Sequence, residues 1–102
     1  MDESIESVWA DFCSRLKPRA VIRNWSVVNG YTGGEFVIHT VGPGGIMIEL
    51  TTGTERMLAK GEVQKLLTHW ETYKAGKVAR VDLRNISHNT SYILSLLHWR
   101  EL

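Results

Sequence analysis

The spacing of hydrophobic positions along this chain changes period twice, and each change marks a boundary between predicted elements. Ile5, Val8, Trp9, Phe12, Cys13 and Leu16 recur at intervals of three and four, which places all six on one face of a helix over about residues 4–16. Asp2, Glu3 and Glu6 suit the positive end of its dipole, Arg15 and Lys17 suit the negative end, and Pro18 stops it. From Val21 the period becomes two. Val21, Arg23, Trp25 and Val27 fall on one side of a strand and Ile22, Asn24, Ser26 and Val28 on the other, before the turn signal Asn29-Gly30. Residues 36–41 and 46–51 are β-rich runs around Gly42-Pro43-Gly44-Gly45, a breaker cluster that suits a hairpin loop and pairs the two strands antiparallel. Thr52-Gly53-Thr54 then turns the chain into a short fourth strand at 55–60.

After Lys60-Gly61 the helical period returns in Val63, Leu66, Leu67, Trp70 and Tyr73, with Gly76 as a left-handed stop. Leu83 and Ile86 predict a short helix at about 80–87. Ile93, Leu96 and Leu97 predict another at about 90–100, its free amides capped by Asn89 or Thr90. The fold class that follows is α+β: an N-terminal helix, a three- to four-stranded antiparallel meander and a C-terminal layer of two to three helices. A length of 102 residues without repeat or linker predicts a single domain over 1–102. With 43% apolar residues and four tryptophans, the chain has the means to bury a core, which argues against disorder.

Charge narrows the partners little. A net charge of +1 lacks the basic excess that phosphate neutralisation leaves in small nucleic-acid-binding domains. Cys13, the one cysteine, cannot form an internal disulfide, and its place on the apolar stripe reads as an inert buried thiol in a reducing, cytoplasmic setting. The acidic N-terminus and the lack of any run near the ~20 apolar residues of a membrane span argue against export and membrane insertion. His39, His69, His88 and His98 include no pair at helical spacing, so neither metal nor cofactor is expected. Tyr31-Thr32-Gly33-Gly34-Glu35 and the Gly42–Gly45 cluster read as hairpin turns, since neither matches a phosphate-loop spacing. No nucleophile–base or paired-carboxylate pattern points to an enzyme.

Two binding readings compete. The last three predicted helices have the order of a trihelical helix-turn-helix, with Lys77, Arg80, Arg84, Ser91 and Arg100 as candidate nucleic-acid contacts. Against it, the outward positions of the last helix would be Ser91, Ser95, His98 and Arg100, which offer one guanidinium and no amide for bidentate base contacts. Lys65, Lys74, Lys77, Arg80 and Arg84 also alternate with Glu62, Glu71 and Asp82, the pattern of a solvated face. The other reading starts from the aromatics Trp25, Trp70, Tyr73, Tyr92 and Trp99. A terminal helix carrying Tyr92, Ile93, Leu96, Leu97 and Trp99 has apolar residues on more than one stripe, which predicts a homo-oligomer interface at Tyr92, Leu96 and Trp99.

Residues 70–99 contain Trp70-x-x-Tyr73-x-x-Gly76, then Arg80-x-x-Leu83-x-x-Ile86, then Asn89-Thr90-Ser91-Tyr92-Ile93. In this stretch, about a third of the chain, the sequence resembles small stand-alone bacterial proteins carried as cargo by mobile elements such as integron gene cassettes. The resemblance implies a compact α+β fold and self-association, and it carries over no catalytic residue. The reading that results is a non-catalytic binding or interaction module that self-associates, with a small DNA-binding regulator using about residues 80–100 as the alternative.

Overall fold

A computed structural model describes residues 4–102; Asp2 and Glu3, assigned above to the first helix's dipole, lie outside the described residues. Helix α1 runs Ile5–Arg15 and starts at Ser4, whose hydroxyl accepts a hydrogen bond from the Ser7 amide at 3.2 Å. It buries Ile5, Val8, Trp9 and Phe12, and Leu16 is buried just beyond its end. Cys13 departs from the expected stripe and is exposed. One position past Phe12 is about 100° further round the helix, and only the narrower Ile5–Phe12 side faces the core.

Four strands follow: β1 (Val21–Ser26), β2 (Gly30–Val41), β3 (Gly45–Leu50) and β4 (Glu55–Ala59). They form one antiparallel sheet in sequential order, so the predicted meander has four strands. The register aligns Ile22 with Phe36, Ile38 with Ile48 and Ile46 with Leu58, and these six side chains form the buried inner face. Val21, Arg23, Glu35, His39, Glu49, Glu55 and Met57 alternate with them on the exposed outer face, as a sheet covered on one side requires. There His39 Nδ1 lies 2.7 Å from Glu55 Oε2, reaching across β3. Strand β2 is longer than the hydrophobic pattern indicated. Tyr31 and Glu35 are not in a hairpin turn: they pair with Trp25 and Arg23, and a break in register there absorbs the polar, glycine-rich residues between them. The β2–β3 turn holds two helices in place, since Gly42 O accepts from the Trp9 indole at 3.0 Å and Gly44 O from the Lys60 amide at 3.0 Å. A Cβ at Gly45 would come 3.1 Å from the Leu58 carbonyl and would push the flexible Met57 side chain aside.

The C-terminal helical layer has four pieces: α2 (Lys60–Leu67), α3 (Trp70–Lys74), α4 (Arg80–Leu83) and α5 (Thr90–Arg100). The helix predicted through Val63 and Tyr73 breaks in two at Thr68 and His69. Thr68 Oγ1 donates to Lys65 O at 2.7 Å, and the His69 amide tightens onto Leu66 O. Helix α4 covers only the first half of the predicted 80–87 helix, whereas Gly76 takes the left-handed conformation expected of a stop, at φ 76°. Neither Asn89 nor Thr90 caps α5 through its side chain: Asn89 Nδ2 donates to Met57 O, and Thr90 Oγ1 donates to Ser87 O and Leu83 O. Helix α5 runs beside β1 and also packs on α2 and α4, and its residues Ile93, Leu94, Ser95, Leu96 and Leu97 are all buried. Among the described residues no helix is long and apolar enough to cross a membrane.

Candidate functional site

Both edges of the sheet are held by side chains of the helical layer. On β1, the Trp25 amide donates to Ser95 Oγ at 3.0 Å, and just beyond the strand the Val27 amide donates to Tyr73 OH at 3.1 Å. On β4, Met57 O accepts from Asn89 Nδ2 at 3.1 Å and the Ala59 amide donates to Glu62 at 3.0 Å. The other Glu62 oxygen accepts from Ser87 Oγ at 2.7 Å, and that hydroxyl accepts the Asn89 amide, so Glu62, Ser87 and Asn89 form one clasp on β4. These bonds occupy backbone groups at Trp25, Val27, Met57 and Ala59 that an incoming strand would need, which disfavours strand addition there.

Trp25 is the centre of an aromatic group beside β1. It stacks on His98 with centroids 4.0 Å apart and planes 5° from parallel, and it meets Trp70 and Tyr73 edge-on. Tyr31 meets His98 edge-on, with its hydroxyl 3.3 Å from Nε2. Burial holds the His98 pKa below its ordinary value, against the pull of Glu101. Glu101 in turn accepts from the Trp70 indole and from Lys74 Nζ. Burial disfavours the Lys74 charge, but Glu101 and Glu71 outweigh it and keep the ammonium pKa above the usual lysine value.

Two surfaces have the shape and chemistry for binding. The first surrounds the end of α5, where Val21, Arg23, Tyr31, His98, Trp99 and Leu102 line a cavity of about 120 Å³. Its rim is apolar and open: Val21 is 53%, Tyr31 43% and Leu102 74% exposed. Arg15 lies over the Trp99 ring at 4.8 Å and Arg23 over Tyr31 at 4.4 Å. Of the interface residues expected from sequence, only Trp99 lines this cavity, and it is half-buried. Tyr92 is half-buried elsewhere, edge-on to Phe36 at 5.4 Å, and Leu96 lies wholly within the core. The several apolar stripes of α5 are accounted for by its central position within one chain. Val21 was legible as sharing one side of β1 with Arg23, but nothing in the sequence showed that side to be open or tied it to residues some eighty positions away.

The second surface lies at α4. Arg80, Arg84 and Ser91, three of the five candidate nucleic-acid contacts, line one cavity of about 340 Å³ together with His88 and Thr90. Lys77 is exposed and does not line it. Arg100 is at the opposite end of α5, where its Nε donates to Asp11 at 2.8 Å and its carbonyl accepts from Arg15. Ser95, expected to face outward, is 1% exposed and bonded to β1. Helix α5 therefore lacks the solvent-facing side with which a recognition helix enters a groove about 12 Å wide.

No protein family, curated protein or solved structure compared with this chain matches it. The reading of the site thus rests on its own chemistry. Among the described residues no three histidines, cysteines or carboxylates are grouped so as to hold a metal ion.

Proposed function

We propose that this chain is a non-catalytic binding module that self-associates, two copies meeting through the surface around Trp99. The observation that carries this reading is the open apolar rim of Val21, Tyr31 and Leu102 around the Trp99 cavity. Amphipathic aromatics with an arginine beside them are the composition of subunit interfaces, and a patch used by both copies is what a twofold dimer needs. Under the same proposal the protein is bacterial mobile-element cargo, as the likeness of residues 70–99 implies, and it works in the cytoplasm, where an exposed thiol such as Cys13 stays reduced.

Light scattering after size exclusion tests the proposal, with wild type beside Val21→Glu. Val21 is exposed, so the added charge leaves the core intact and acts on association alone. A wild-type dimer that the variant dissociates is the expected result. A wild type that stays monomeric throughout the micromolar range overturns the reading.

The alternative, a small DNA-binding regulator, draws its support from Arg80 and Arg84. With α5 enclosed by its own chain, such a protein would meet DNA through phosphates rather than through a helix in the major groove.

A further inference from the structure

The cavity beside α4 has a composition that the self-association reading does not use. Arg80 and Arg84 are four positions apart on one side of the chain at α4 and its C-cap, and His88 and Ser91 close the cavity from the turn and from the first turn of α5. Both guanidiniums and His88 are exposed, and among the described residues neither arginine forms an ion pair. Among the described residues no carboxylate lines the cavity. The nearest in sequence, Asp82, is turned back onto the Ala79 amide at 3.1 Å. Thr90 contributes a buried wall, its hydroxyl donating to Ser87 O and Leu83 O.

Two positive charges, an imidazole and a hydroxyl around one half-open cavity match a compact dianion rather than a carboxylate or a neutral ligand. Guanidinium forks meet tetrahedral oxyanions in pairs of parallel hydrogen bonds, and a phosphate monoester carries close to two charges at neutral pH. Arg80 and Arg84 also line a second cavity of about 270 Å³ with Val27, Val28, Tyr73 and Val81, so an organic group attached to the phosphate has an adjoining, largely apolar cleft.

We infer that Arg80, Arg84, His88 and Ser91 form a binding site for the terminal phosphate of a small phosphorylated molecule, whose organic part lies against Val27, Tyr73 and Val81. A nucleic-acid backbone fits less well because it needs a track of cations. Arg100 is about 15 Å further along α5 and bonded to Asp11, while Lys74 is held by Glu71 and Glu101.

Calorimetric titration of the intact chain with inorganic phosphate, AMP, adenosine and a short DNA duplex tests the assignment. The expected result is that phosphate and AMP bind, AMP more tightly, while adenosine does not. Arg80→Ala and Arg84→Ala should each weaken AMP binding by about ten- to a hundredfold, with Lys77→Ala unchanged. All three positions are exposed, and an unaltered circular dichroism spectrum verifies the fold. Failure of both phosphate and AMP to bind, binding indifferent to the two arginines, or binding of the duplex alone would each overturn the inference. None of these outcomes depends on whether the chain dimerises.

Discussion

Ser95 and Trp25, seventy positions apart, share a 3.0 Å hydrogen bond in which the side chain of a helix takes the place of a neighbouring strand. The Ser95 hydroxyl accepts the Trp25 amide and donates its own proton to Ser91 O at 2.8 Å, so it is satisfied in both directions while 1% exposed. Replacing it with alanine leaves the Trp25 amide unpaired beside a packed helix. Ser95→Ala is expected to lower stability by about 1–3 kcal/mol. Amide hydrogen exchange at Trp25 should accelerate more than at Ile22, and equal protection of both amides in the variant would show that the bond contributes nothing.

Leu96 separates the core from the interface. A fully buried leucine truncated to alanine costs about 2–5 kcal/mol through lost contacts and the cavity left behind. Leu96→Ala should therefore shift the chemical denaturation midpoint strongly at every protein concentration. A loss of stability that vanishes on raising the concentration would instead place Leu96 between subunits.

His98 makes stability depend on acid. Its folded pKa is below the unfolded value of 6.5, so between the two the unfolded chain holds the extra proton and acidification favours unfolding. The contribution is fully present above pH 6.5 and is lost as pH falls through the lowered folded value. Unfolding free energies measured at successive pH values for wild type and His98→Gln should diverge above this window and converge below it, once each curve is referenced to its acid end. Parallel curves would mean that the stack on Trp25 leaves the proton affinity of His98 unchanged.

The order of elements was legible in the sequence because period is a local property, but the buried face of the sheet was not: Ile22, Phe36, Ile38, Ile46, Ile48 and Leu58 are flanked at least as often by Val21, Val37, Met47 and Met57 as by charged residues, so only the helices packed on the sheet decide which side is covered. Three features escaped for a common reason, that they depend on contacts distant in sequence. Cys13 fits the apolar spacing of α1, yet only the position of the sheet decides how wide a stripe is covered. Ser95 and Asn89 read as an outward position and a cap, and both are spent on strand edges. The break at Thr68 was hidden because Trp70 and Tyr73 continue the period of α2 while turning towards Trp25. The basic cavity was half visible: Arg80, Arg84 and Ser91 stood out as candidate contacts, but His88 joins them only because the turn before α5 folds back beside α4.

The capping of β1 by Tyr73 and Ser95 also has a temporal side. In any chain built from its N-terminus, the sheet is complete in sequence well before its cover, and for that interval β1 is a bare template for other nascent or refolding copies. Docking of α5 closes this window by a long-range contact, which is intrinsically slow to find. The bonds from Ser95 and Tyr73 that complete the fold are thus also the ones that withdraw this stretch of β1 from pairing with other copies.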